Sequence, residues 1–142
     1  MQQQIEKLYS KDTKVAYATL LELELECAKS DALYPYFDTF LEMLDDSNTY
    51  IRIRGFRLLC HLAAWDKEDK INRNIAKILS ALDDGKGTAV RQCLAHINQI
   101  LLYKDELHEE VECKLKQMDL SKYKDTLRPL IQKDIDTILK GI

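Results

Sequence analysis

Three histidines, four cysteines and the Gly85-Lys86-Gly87 turn are the residues of this chain with the most obvious chemical capacity, and their spacing decides what they can do. His108 is followed by Glu109 and Glu112. That is not the His-Glu-x-x-His order which puts two imidazoles and a base on one helical face; an exposed helix face accounts for these residues. Cys60 and His61 are neighbours, so on a helix their side chains diverge by about 100° and cannot form a nucleophile–base dyad. His61 and His96 fall on polar arcs of their helices, and no carboxylate at helical spacing accompanies either as ligand or orienter. Gly85-Lys86-Gly87 lacks the length and the preceding strand of a phosphate loop. Cys27, Cys60 and Cys93 recur every 33 residues, but they lie 11, 9 and 3 residues beyond the stripe starts Ala16, Ile51 and Val90. With no Cys-x-x-Cys and no paired histidine, the cysteines read as buried small apolar residues. Trp65, at a helix end, reads as a core plug. No catalytic residue, cofactor site or metal site is expected.

What remains is a polar ridge. Helix by helix it carries Glu22, Glu26 and Lys29, then Arg54, Arg57 and His61, then Gln92, His96, Gln99 and Tyr103. Arg54, Arg57, His61, Gln92, His96, Gln99 and Tyr103 form the candidate partner-binding set, because arginine and aromatic side chains in a groove are typical anchors of protein interfaces. The alternative is that Glu22 and Glu26 simply pair with Arg54 and Arg57. On the first view, Arg54→Glu with Arg57→Glu weakens partner binding and leaves the fold intact. Nucleic-acid binding through Lys14, Arg54, Arg57, Arg91 and Arg128 is the second function considered. It needs several aligned cations to displace counterions, whereas this ridge runs from acidic to basic to neutral on a chain of net charge −3. An enzyme assembled from distant residues such as His96 and Tyr103 has no positive feature behind it.

The elements that must position these side chains are helices. Four Gly and two Pro stand among abundant Leu, Lys, Glu, Ile and Ala, and 142 residues suffice for one domain with a continuous core. No apolar run approaches the length of a membrane span and no basic-then-apolar leader is present, so no membrane association and a cytoplasmic location are expected.

Asp45 to Trp65 reads as a turn and one helix capped by Ser47 or Asn48. Ile51, Gly55, Leu58 and Leu62 form its stripe, and the apolar arc is wide enough for packing on several sides. Gly55 marks a tight helix crossing. Arg52 lies inside the apolar arc and needs a carboxylate from Asp45, Asp46 or their repeats. Around this helix the sequence predicts a short opening helix within residues 1–10 and one from Asp12 to about Lys29, with Glu22 and Glu26 outward. Another holds Pro35 near its first turn. Further helices run from Asp66 to about Leu82, from the Asp83-Asp84 turn to about Tyr103, from Asp105 to Met118, and from Asp125 to a stop at Gly141. The stripes of the second helices start at Ala16, Ile51, Val90 and Leu127, which are 35, 39 and 37 residues apart. Two helices per period of this length indicate an α-solenoid.

Leu33-Tyr34-Pro35, Phe40-Leu41, Leu44, Asp45-Asp46 and Ile51-Arg52 resemble the repeat of HEAT (armadillo-type) proteins. Ile78-Leu79, Leu82, Asp83-Asp84 and Val90-Arg91 repeat the pattern without the proline, while the first and last copies are degenerate. The resemblance spans residues 1–142 as one HEAT-like domain, an all-α superhelix of about 3.5–4 antiparallel helix pairs. It implies that second helices line a concave face and that Arg52 and Arg91 are structural, paired with Asp46 and Asp84 or their neighbours. The expected function is a non-catalytic scaffold that binds a protein or peptide through the second-helix face. Oligomerisation through the end repeats is left open, because the short first helix covers its neighbour poorly.

Overall fold

The computed structural model describes residues 1–142, which are about 75% helical with no strand. After a short α1 (Gln2–Lys7), the Asp12 carboxylate accepts the Lys14 and Val15 amides at 3.0 and 3.4 Å and caps α2 (Thr13–Lys29). Pro35 sits in a 3₁₀ turn, Tyr34–Tyr36, that leads into α3 (Phe37–Met43), where its missing amide hydrogen costs least. The Asn48 side chain accepts the Tyr50 amide at 2.8 Å and starts α4 (Thr49–His61), which finishes in 3₁₀ geometry over Leu62–Trp65.

Between Asp66 and Leu82 the expected single helix is broken. Asp69 takes a left-handed conformation (φ 54°), α5 (Lys70–Arg73) ends at Asn74, and α6 (Ile75–Leu79) follows and tightens into a 3₁₀ turn, Ser80–Asp83. The Asn74 side-chain amide donates to the Lys70 carbonyl at 2.8 Å, the kind of local bond by which asparagine competes with helix continuation. Ile71, Ile75 and Ile78 are nonetheless all buried. Beyond the Asp83-Asp84 turn come α7 (Gly87–His96) and α8 (Asn98–Tyr103), interrupted only at Ile97, then α9 (His108–Gln117) and α10 (Arg128–Gly141). Pro129 is in the first turn of α10, where it is tolerated. Gly141 does not act as a left-handed stop: it closes the helix itself, and no glycine has positive φ.

α4 is the hub, packed against α2, α3 and α7. Gly55 permits the α3 crossing, since a Cβ there would lie 2.7 Å from Met43 Cβ and 2.8 Å from the Phe40 carbonyl oxygen. α2 packs on α4, α4 on α7 and α7 on α10, so these four form one layer. Arginine–carboxylate pairs staple it. Arg52 donates to the Asp84 carboxylate (3.0 Å), to the Asp46 and Ser47 carbonyls and to the Thr49 hydroxyl. Its carboxylate is thus the later turn's Asp84; Asp45 pairs with Lys77, and Asp46 contributes only its carbonyl. Arg91 binds Asp134 at 2.8 Å rather than Asp84. One apolar cluster runs without a break from Ile5 to Ile138. Cys27, Cys60 and Cys93 belong to it as free thiols, whereas Cys113 is exposed. No helix is long and apolar enough to cross a membrane.

Candidate functional site

The seam of the α2–α4–α7 layer holds an ionic cluster. Because α4 has a helix on either side, most of its polar arc is turned to its neighbours and meets water only through the hollows beside it. Arg54 and Arg57 are only 6% and 7% exposed, which corrects their expected place on an open ridge. Arg54 reaches back to the Leu8 carbonyl at 2.6 Å. Arg57 grips Glu24 with two parallel bonds, Nε to Oε2 at 3.0 Å and Nη2 to Oε1 at 2.8 Å, and gives a third to Gln92 Oε1 at 3.3 Å. Such a bidentate pair fixes the plane of the carboxylate. The arginine partner is therefore Glu24, not Glu22 or Glu26. Glu22 is exposed and Glu26 takes a bond from Ser30. With both guanidinium groups enclosed, charge reversal at Arg54 and Arg57 is expected to cost the fold stability rather than leave it intact.

On the other side of Glu24 two imidazoles converge. His61 Nε2 lies 3.3 Å from Glu24 Oε2 and 3.1 Å from His96 Nδ1, which is itself 3.8 Å from the same carboxylate oxygen. The carboxylate that neither histidine has on its own helix thus arrives from α2. Burial pushes the Glu24 carboxyl up, but hydrogen bonds from His61 and Arg57 and the guanidinium charge outweigh it, holding the group at about 2. Burial, joined by the nearby Arg57 charge, pushes His96 down to about 4 and keeps it neutral at neutral pH. Glu24, His61 and His96 are a group whose donor atoms could hold a metal ion, since all lie within 4.8 Å of one another.

Two hollows flank the cluster. One, of about 340 Å³, is bounded by Lys14, Tyr17, Tyr50, Arg54, Arg57 and Gln92, with the Tyr17 ring 5.9 Å from the Arg57 guanidinium. The other, of about 760 Å³, is lined by Leu21, Glu24, Leu25, His61, Trp65, Gln99 and Tyr103. Trp65 is no plug: half-buried, it walls this hollow and donates Nε1–H to the Cys27 carbonyl at 2.6 Å. No family model, curated protein or solved structure matches this chain. The geometry must carry the functional argument alone.

Of the candidate set, His61, His96 and Gln99 are half-buried, Gln92 and Tyr103 are exposed, and the two arginines are internal. Arg57, His61, His96 and Gln92 come together around Glu24; Gln99 and Tyr103 lie further along the larger hollow, and Arg54 points away to α1. Of the other cations named for nucleic acid, Arg91 pairs with Asp134 and Arg128 with Asp125, while Lys14 borders the smaller hollow. The sequence reading missed Glu24 and the apolar lining: Tyr17, Leu21, Tyr50 and above all Leu25, 64% exposed, face solvent on this side. A signal for both existed. Leu21 and Leu25 are one turn apart on the face opposite the buried Leu20, Leu23 and Cys27, and Glu24 lies 33 residues before Arg57.

Proposed function

We propose that this chain is a HEAT-like α-solenoid that binds a segment of another protein along the groove of its second helices, without catalysis of its own and in the cytoplasm. The observation that carries this is the concentration of large exposed apolar side chains, Tyr17, Leu21, Leu25, Tyr50 and Tyr103, in the two hollows on one face. Apolar surface gathered in a concavity with a polar floor is the signature of a docking site rather than of ordinary surface. The serial packing of α2, α4, α7 and α10 and the Arg52–Asp84 and Arg91–Asp134 pairs support the solenoid part of the proposal. The partner is a peptide or helix whose apolar anchors sit one or two turns apart, to match the spread from Tyr17 to Leu25. Nucleic acid is disfavoured, because the arginines that would contact phosphates already have partners within the chain.

Selection of a random-peptide display library on the full chain tests the proposal. Expected binders carry spaced Leu, Phe or Trp anchors and lose at least tenfold in affinity against Leu25→Glu or Tyr103→Ala. Binders indifferent to both substitutions, or none at all, overturn it. Fluorescence anisotropy with duplex DNA and single-stranded RNA across a salt series completes the test: salt-sensitive binding there would put nucleic acid in the groove instead.

A further inference from the structure

The Glu24–His61–His96 cluster has a geometry that a hydrogen bond alone does not require. We propose that Glu24 Oε2, His61 Nε2 and His96 Nδ1 form a binding site for a borderline divalent cation of the zinc class.

Three atoms at mutual distances of 3.1, 3.3 and 3.8 Å define a triangle. The point equidistant from its corners is about 2.0 Å from each, the length of zinc–nitrogen and zinc–carboxylate bonds. A proton on His61 Nε2 lies along one line and serves one acceptor well. A cation at the centre serves all three; on binding, the His61 proton leaves Nε2 and one returns from solvent to Nδ1, a change of tautomer with no net loss. The remaining proton of each ring then sits on the nitrogen facing away from the metal, His61 Nδ1 and His96 Nε2.

The site also has the support that metal sites need. Arg57 holds the Glu24 carboxylate in one plane, and Gln92 holds Arg57 in turn, so the ligating oxygen is positioned from outside. Oε2 keeps a lone pair beyond the one facing Arg57. The guanidinium charge opposes a second cation nearby and limits the affinity. His61 and Glu24 line the hollow of about 760 Å³, which leaves an entry path and room for a water or a partner's side chain in the fourth position. Two imidazoles and one carboxylate, with no thiolate among them, select a borderline ion over Cu(I) or Ca²⁺. Cys27, Cys60 and Cys93 are buried in the apolar cluster, and none belongs to the donor group.

This site does not depend on the proposed peptide partner, and its test contains no peptide. The full chain, in a Cys113→Ser background that removes the one exposed thiol, is titrated with Zn²⁺ by calorimetry and with Co²⁺ by visible absorption. One equivalent is expected to bind, with a Co²⁺ band of low-symmetry coordination. Affinity should fall at least tenfold in Glu24→Gln, His61→Gln and His96→Gln and stay unchanged in His108→Gln. Should a ligand variant fail to fold, ring NMR of the unaltered histidines decides. The chain has three, and Zn²⁺ must shift His61 and His96 together and leave His108 in place. No binding at a hundredfold excess of either ion, binding insensitive to His96→Gln, or a shift confined to His108 overturns the site.

Discussion

Asp66 and Glu24 are both carboxylates drawn between helices, yet they are surrounded in opposite ways. Around Asp66 every acceptor position is filled by a donor fixed in the chain: the Tyr34 hydroxyl at 2.6 Å, the Lys70 and Ile71 amides at 2.9 Å each, and the Lys104 ammonium at 3.1 Å. Its side chain has no exposed surface and Lys104 is nearly as enclosed, with a further bond to Asp69. Burial pushes the Asp66 carboxyl up, but these bonds prevail and the group stays below the usual carboxylate range. Glu24 has a closed half, occupied by Arg57, and an open half, where two ring nitrogens share the space with at most one proton between them. A carboxylate whose surroundings are complete holds the fold. One left with unfilled lone pairs beside a groove is available for something else.

The harshest way to break this contrast is Arg54→Glu with Arg57→Glu. It buries two carboxylates without partners, one of them against Glu24. The cost is about 5 kcal/mol or more, comparable to the whole stability of a domain this size. Circular dichroism should show an unfolded or molten chain at room temperature. Asp66→Ala comes next. It strands Lys104 and the Tyr34 hydroxyl inside, for about 3–5 kcal/mol in urea unfolding. Glu24→Gln should cost less, about 1–3 kcal/mol, because the amide keeps one acceptor for Arg57 and water from the groove can reach the rest. If Glu24→Gln proves as costly as Asp66→Ala, the cluster is a structural staple and the contrast fails.

Acid sharpens the same comparison. Both carboxylates have folded-state values below their ordinary ones, so each contributes stability that is complete above the unfolded value and lost as pH falls through the folded one. In EDTA, the difference between wild type and Glu24→Gln should hold at neutral pH, shrink below about pH 4.3, and vanish as pH approaches about 2. The Asp66→Asn difference should also shrink once pH drops below the ordinary aspartate range. A Glu24→Gln difference that disappears already near pH 6 would mean that the imidazoles, and not the carboxylate, dominate the cluster.

How much of this was legible follows from where each interaction reaches. The apolar stripes, the Asp12 and Asn48 caps and the demand of Gly55 for a close neighbour are local, and each was readable from residues a few positions apart. Arg52 was recognised as needing a carboxylate, but which aspartate answered depended on how one helix pair meets the next. The Asn74 break was invisible to periodicity, because Ile71, Ile75 and Ile78 keep helical spacing through it. Arg54 and Arg57 were misplaced for a deeper reason. A helical projection separates polar from apolar arcs, but on a helix with neighbours on three sides the polar arc faces another helix. Glu24, meanwhile, disappeared among Glu22 and Glu26 in an alternating run, since its partners Arg57, His61 and His96 are 33, 37 and 72 residues away. The 33-residue offset from Glu24 to Arg57 is a trace of that pairing, but the offset alone does not single out Glu24 from its neighbours; the fold does.

Leu25→Glu is the smallest perturbation to the fold and the one that best separates the two roles. Leu25 is 64% exposed, lies outside the apolar cluster and lines the hollow next to Glu24. Its replacement by a good helix former should change unfolding free energy by no more than about 0.5 kcal/mol. With Leu21 and Tyr103, Leu25 forms the exposed apolar wall of the groove, where the proposed partner would rest. Peptide binding in the groove should therefore fall at least tenfold while melting is unchanged, the reverse of Asp66→Ala, where stability falls and the groove itself is untouched. A Leu25→Glu chain that melts several degrees lower would show that this leucine packs within the fold after all. The groove would then lose the apolar anchor on which partner docking depends.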